Sequence, residues 1–221
     1  MTDRVDGALY NQDYFENGIA LGISGYFNYT WLPEKTIRMV VYLIRELGIS
    51  PQDVVLDFGC AKGYVVKAFR ILDFAAFGVD VSDYAIHHVD SEVRDYCARI
   101  NGVEDPTLFA RVYDWLIAKD TFEHMTGEEV AALLRHARSH VRHVFAVIPL
   151  GKDDVGGGFV VPDYDRDVTH ITARTAAWWT SLFVREGWHI KELKFAWAGC
   201  KEDWTKKWPD GNAFFVLTPE S

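Results

Sequence analysis

The sequence predicts a single α/β domain with a mostly parallel sheet and helices on both faces. Two observations predict the sheet. Apolar runs of strand length alternate with segments of helical periodicity through the middle of the chain. Those runs are apolar at consecutive positions, as in strands buried on both faces, and not at every second position. A third observation concerns the end of the chain, where two further strand-like segments come after the last helix.

Taken in order, residues 33–47 (PEKTIRMVVYLIREL) read as a helix. Pro33 suits its first turn, Ile37, Val40, Val41, Ile44 and Leu47 recur at helical spacing, and Gly48 suits the stop. DVVLDF (53–58) is a strand, β-branched at Val54 and Val55, and residues 62–72 are helical again. AAFGVD (75–80) is a second strand ending in an acid, and Ser82 is an N-cap for SDYAIHHVDSEVRDYC. YDWLIAKD (113–120) is another strand ending in an acid. In TGEEVAALLRHARSHV the residues Val130, Leu133, Leu134, Ala137 and Val141 form one helical face, and Thr126 with Glu129 matches a capping box. HVFAVIPL (143–150) is a further buried strand. Residues 151–170 are rich in Gly and Asp and long for a structureless loop, which marks them as functional or disordered. A helix over about 172–186 places Thr175, Trp178, Trp179, Leu182 and Phe183 on one side. Strands in HIKELKFAWAG and NAFFVLTP close the chain, joined by the Trp- and Lys-rich loop CKEDWTKKWPDG.

Composition narrows the function. The net charge is −9 over 221 residues and no Lys/Arg-rich run offsets it, so a nucleic-acid partner is not expected. No apolar run is long enough to span a bilayer, and MTDRVDGALYNQDYF lacks a signal-peptide core, so a membrane is not expected either. Cys60, Cys97 and Cys200 are widely spaced and form no disulfide framework, which fits a cytoplasmic protein.

The chemistry is concentrated in VVLDFGCAKG (54–63), an apolar strand that ends in an acid and turns through two glycines. A nicotinamide-binding GxGxxG starting at Gly59 needs glycine at 61 and 64, where the chain has Ala61 and Tyr64. The alternative D/E-x-G-x-G-x-G is met by Asp57, Gly59 and Gly63 and departs only at Ala61, at the cost of one methyl of clearance. Asp80 ends the second strand, where a carboxylate can accept both hydroxyls of a ribose. DWLIAKDTFEHM then supplies a D-x-x-E-H segment. In parallel sheets ligands bind beyond the carboxyl ends of the strands, where the strand order reverses, and Asp57, Asp80 and Asp120 lie at that edge.

On these residues the chain resembles class I S-adenosylmethionine (SAM)-dependent methyltransferases of the small-molecule type, over roughly residues 33–218. The resemblance implies the Rossmann-like class I methyltransferase fold, with a seven-stranded sheet whose last strand is antiparallel, and SAM as cofactor. It implies that Asp57, Gly59, Ala61 and Gly63, with Phe58 and Cys60 between them, cradle the methionine part. Asp80 then holds the ribose and Val81 lies beside the adenine, with Asn101 near the place where the family often keeps an acid. Asp120 would stand beside the methyl group, with Glu123 and His124 one turn on. In such enzymes a segment like residues 1–32 often folds over the cofactor as a lid, before a catalytic domain at 33–221. Tyr14, Phe15, Tyr26, Tyr29 and Trp31 are its aromatic residues, and Tyr26 and Tyr29 are candidates for cofactor or acceptor contact. Trp197, Trp204 and Trp208 contribute to the acceptor side or to packing.

The expected reaction is methyl transfer to a small-molecule acceptor, with O-methylation of a natural product or sugar-like molecule as the leading expectation. Asp120, Glu123, His124 and His170 are the catalytic candidates, with His suited to a general base by its ordinary pKa. Two alternatives stand beside this. Asp120, Glu123, His124 and His170 resemble the metal set of small-RNA 2′-O-methyltransferases and of some quinone-precursor O-methyltransferases, so a divalent metal would assist the transfer. Or the chain is a SAM-binding module or partner subunit that does not catalyse.

Overall fold

The computed structural model describes residues 5–220; residues 1–4 of the expected lid and residue 221 lie outside the described residues. The chain contributes β1 (Val54–Phe58), β2 (Ala75–Asp80), β3 (Cys97–Arg99), β4 (Tyr113–Lys119), β5 (Val141–Pro149), β6 (Trp188–Lys194) and β7 (Asn212–Pro219). They form one seven-stranded sheet in the order β3-β2-β1-β4-β5-β7-β6. β1 to β5 run parallel, while β7 is antiparallel to both β5 and β6. The strand order reverses between β1 and β4, which puts the expected ligand crevice beyond Phe58 and Lys119.

The helices are α1 (Gln12–Glu16), α2 (Gly18–Leu21), α3 (Pro33–Leu47), α4 (Tyr64–Ile71), α5 (Asp83–His87), α6 (Gly127–Ala137), α7 (Ala176–Arg185) and α8 (Glu202–Lys207). The capping signals act as expected. Pro33 sits in the first turn of α3, Gly48 ends it at φ +69°, Ser82 caps α5, and Thr126 and Glu129 close a full capping box on α6. Each face of the sheet is covered. α3 and α4 bury Met39, Val40, Leu43, Val66 and Phe69 against Val55, Trp115, Phe145 and Phe214. α6 and α7 bury Val130, Leu134, Trp179 and Phe183 against Leu56, Leu116, Val144 and Phe215 on the other side.

Several readings change. Val141 opens β5 and is not on the face of α6, and the helix capped by Ser82 ends at His87. Thr175 is the N-cap of α7 and not part of its face, because its hydroxyl accepts from the Trp178 amide. The Trp- and Lys-rich segment after β6 contains α8, and Trp197 is a core residue packed on Phe145 and Phe214. The 151–170 segment is ordered by its own acids: Asp153 accepts from the Val155 and Gly157 amides, and Asp165 from the Phe159 amide. It also carries a 3₁₀ turn at Pro162–Arg166.

Candidate functional site: a cleft at the switch point

A cavity of about 790 Å³ opens at the predicted edge, within the ~300–1,000 Å³ usual for small-molecule clefts. Its floor is the turn after β1. Gly59 has φ +83°, and a Cβ there would lie 2.8 Å from the Thr121 side chain. Gly63 caps α4 at φ +75°, and its missing Cβ would come within 2.9 Å of the Cys97 sulfur. Ala61 has φ +47°. The departure at position 61 is therefore a matter of backbone conformation more than of clearance, since a left-handed residue with a Cβ is strained. The Asp80 carboxylate helps hold it there, accepting from the Ala61 amide and from the Ser82 amide, each at 2.8 Å.

The expected residues divide into those that face the cleft and those behind it. Phe58, Gly59, Ala61, Asp80, Val81, Asn101, Asp120, His124 and Tyr26 line it. Asp57, Cys60, Gly63, Tyr29, Glu123 and His170 are not among the lining residues. Asp57 is buried beneath the turn, where burial and then the Asp80 charge push its carboxyl up to about 7. Cys60 fills the space left by Gly78, whose Cβ would lie 2.7 Å from its sulfur, and its thiol donates to the Ala61 carbonyl at 3.8 Å. It acts as packing beneath the turn, as a small apolar residue would.

Part of the segment 5–31 borders the cleft. Val5, Gly7, Tyr10, Asn11, Tyr14 and Phe15 join its walls. The Lys62 ammonium, in the turn itself, donates to Glu16 at 2.5 Å and to the Tyr29 carbonyl at 2.9 Å. The Ser82 hydroxyl donates to the Tyr10 carbonyl at 2.5 Å. On the opposite wall the Tyr14 hydroxyl donates to Asp167 at 2.9 Å, and the Val168 amide donates to the Ile23 carbonyl at 3.1 Å.

Beyond β4 lies a dense polar cluster. Asp120 has φ +53°, an uncommon conformation for a non-glycine residue. Its carboxylate pairs with Lys119 at 2.6 Å and with Lys201. The lysines hold its carboxyl well below the usual range against the effect of burial. Asp120 is thus a fixed anion and a poor proton acceptor. Lys201 also donates to the Tyr164 hydroxyl and to Asn212 Oδ1, both at 2.8 Å. Lys119, Tyr164 and Lys201 are members of the site that the sequence pattern does not reveal.

Glu123 is fully buried, and neither carboxylate oxygen has a hydrogen-bond partner among the described residues. Burial, then the Asp120 charge, pushes its carboxyl well above the usual range. Its ligand-capable oxygen and nitrogens of His124 and His170 lie within 4.8 Å of one another. Asp120, engaged by the lysines, does not belong to this group. Hydrogen bonds assign the histidine tautomers. His170 Nδ1 donates to the Tyr164 carbonyl at 2.7 Å. The Thr169 hydroxyl donates to Asp167 at 2.6 Å, so it accepts from His124 Nδ1 at 2.8 Å. In both rings Nε2 is left as the lone-pair nitrogen. Burial and His170 push His124 down to about 4, so it is neutral near pH 7.

The sequence profile of the methyltransferase domain matches residues 34–195. The chain belongs to the methyltransferase domain family. No curated protein matches it by sequence. Solved structures share the fold of this methyltransferase. CcbJ methyltransferase from Streptomyces caelestis superposes with a TM-score of 0.66 at 12% identity, over 98% of this chain and 100% of that one. A SAM-dependent methyltransferase from Clostridium acetobutylicum gives 0.62 at 11%, over 85% and 92%. Magnesium protoporphyrin IX methyltransferase from Synechocystis, with bound SAM, gives 0.55 at 14%, over 85% and 79%. The class I methyltransferase architecture and the enzyme class expected from the sequence are both met.

Proposed function

We propose that this methyltransferase transfers the methyl group of SAM to an oxygen of a small-molecule acceptor. The observation that carries the reading is the left-handed glycine turn bonded to Asp80 at the switch point of the sheet. A Cβ at Gly59 would press on Thr121 of the cleft wall and one at Gly63 on Cys97, Val89 and Val93 behind the turn, so the turn needs both glycines, while Asp80 stands at the edge for the ribose. When bound, SAM supplies an electrophilic methyl group. The chain's own work is to orient it, to exclude water beneath residues 5–31, and to accept a proton from the acceptor hydroxyl. His124 Nε2, neutral and on the cleft wall, is the proton acceptor. Tyr10, Tyr14 and Tyr26 line the acceptor side and suit a small ring better than a polymer. The three cysteines are free thiols, as suits a reducing cytoplasm. Among the described residues no helix is long and apolar enough to cross a membrane.

The test has two stages. Mass spectrometry of molecules released from purified protein is expected to find S-adenosylhomocysteine (SAH). Labelled SAM incubated with metabolite fractions is then expected to yield a labelled small molecule, with fragmentation placing the methyl group on oxygen. A product methylated on nitrogen or carbon would overturn the oxygen assignment. Tight SAH binding without a labelled product in any fraction would favour the non-catalytic module.

A second reading is favoured by the unpartnered Glu123 carboxylate: Glu123, His124 and His170 hold a divalent cation. A neutral imidazole pair with Nδ1 donated away and one carboxylate suits Zn²⁺, Mn²⁺ or Fe²⁺ better than Mg²⁺. Such an ion would lower the pKa of an acceptor hydroxyl bound to it. Elemental analysis of the purified protein and thermal shift with each ion decide between the readings. Metal-stripped protein that keeps full activity overturns the second.

A further inference from the structure

His124 and His170 are both held through Nδ1, but by partners of different kinds. His170 Nδ1 bonds the Tyr164 carbonyl, which can only accept and so fixes the tautomer by itself. The partner of His124 Nδ1 is the Thr169 hydroxyl, at 2.8 Å. A hydroxyl donates and accepts, so alone it fixes nothing. Asp167 makes it an acceptor. Asp167 Oδ1 takes the Thr169 hydroxyl at 2.6 Å and the Thr169 amide at 3.0 Å, so the one hydroxyl hydrogen is turned away from the imidazole. Asp167 Oδ2 takes the Tyr14 hydroxyl at 2.9 Å. The two hydroxyls approach each other at 3.3 Å, but each has its hydrogen on the carboxylate.

Asp167 and Thr169 are both buried, and neither is among the residues that line the cleft. Other groups fasten their segment to the turn Phe122–His124. The Ile171 and Thr172 amides both donate to the Glu123 carbonyl at 3.0 Å, and the Thr172 hydroxyl donates to the Met125 carbonyl at 2.6 Å. A buried acid is a poor source of stability, because its desolvation offsets what its bonds contribute. Here its effect falls on a single hydrogen, the one that decides which nitrogen of His124 keeps a lone pair.

We propose that Asp167 and Thr169 are positioning residues for His124. The carboxylate turns the Thr169 hydroxyl, the hydroxyl holds the Nδ1 hydrogen, and Nε2 keeps the lone pair. This rests on His124 being the proton acceptor. When the proton of the acceptor hydroxyl moves to Nε2, Nδ1 keeps its own. No proton passes along the chain, and the imidazolium is stabilised by a carboxylate one hydroxyl away.

Nitrogen-15 NMR of histidine-labelled, metal-stripped protein with SAH at pH 7 reads the tautomer, and the signals absent from His124→Gln assign it. Wild type is expected to carry the hydrogen on Nδ1. Thr169→Val is expected to shift it to Nε2. It is also expected to pass label from SAM to the accepting metabolite fraction about 10- to 100-fold more slowly, with SAH affinity within about 3-fold. Thr169→Ser restores both. Asp167→Ala, where folded, shifts the tautomer as Thr169→Val does, since the hydroxyl hydrogen is then free to turn to Nδ1. Thr169→Ala makes the same test should the valine variant not fold. Thr172→Val is expected to lower the melting temperature and to leave the tautomer in place. Wild type with the hydrogen on Nε2 overturns the inference without any variant. So does Thr169→Val protein that keeps the wild-type tautomer, or Thr172→Val protein that shifts it as far. Transfer lost in His124→Gln but undiminished in Thr169→Val overturns the inference alone. Transfer undiminished in both overturns the reading of His124 as proton acceptor, and this inference with it.

Discussion

The two sides of the cleft floor are built differently. On the β1–β2 side the ligand-facing groups come from one short turn, 58–63, and one strand end, Asp80, and the turn is held by backbone donors. On the β4–β5 side they are Asp120, Thr121 and His124, held from behind by buried charges and histidines at 119, 123, 164–170, 201 and 212. The first side depends on the absence of side chains at Gly59 and Gly63. The second depends on side chains that meet only in the folded protein. A binding surface made of backbone tolerates little change of shape, whereas one made of side chains can be altered in chemistry while its shape remains.

The largest expected effect breaks the first side alone. Gly63→Val forces a branched residue to φ +75° against Cys97, Val89 and Val93, so SAH affinity is expected to fall by more than about 100-fold in calorimetry. Next, His124→Ala addresses the second side. Methyl transfer is expected to fall by about 10²–10³-fold while SAH affinity stays within about 3-fold. If affinity collapses in His124→Ala as it does in Gly63→Val, the two sides do not divide the work.

A smaller effect is read from pH. Asp57 is raised in the folded state from its ordinary 3.8 to about 7, so folding favours its protonated form. Its contribution is favourable below about pH 4, is lost progressively as pH rises, and is a constant penalty above about pH 7. Asp57→Asn removes that dependence. Urea unfolding of the free protein is expected to show the variant gaining on wild type between pH 4 and 7, by on the order of 2–4 kcal/mol. Parallel curves would show that Asp57 is not buried as a neutral acid. The smallest effect is Ala61→Gly, which relieves the left-handed strain and costs chain entropy. SAH binding is expected to persist, with stability changed by no more than about 1 kcal/mol.

The same division explains what was legible in the sequence. The turn could be read because its parts are contiguous and its geometry is dictated by residue type. The sheet could be read because strands buried on both faces leave apolar runs such as VVLDF and HVFAVIP. Lys201 could not be read, since nothing near it in the chain shows that Asp120, Tyr164 and Asn212 will converge on it. Lys119 carried a weak signal, a lysine at the end of an otherwise apolar strand. The contact of Cys60 with Gly78 was hidden by their separation, although a glycine in a buried strand marks the space that Cys60 takes. His170 stands beside His124 as expected, with ring centroids 4.6 Å apart, but the removal of Asp120 from that group depends on lysines whose reach the sequence does not show.

The segment that borders the cleft is fastened to both sides at once, to Lys62 through Glu16 and to Asp167 through Tyr14. A ligand that tightens one fastening changes the cost of ordering the segment for the other ligand. The two binding equilibria are therefore linked, and the linkage is reciprocal: whatever factor the cofactor adds to acceptor affinity, the acceptor adds to cofactor affinity. Where the coupling is positive, whichever ligand leaves first loosens the other, so the departure of one hastens the departure of the other without any additional moving part.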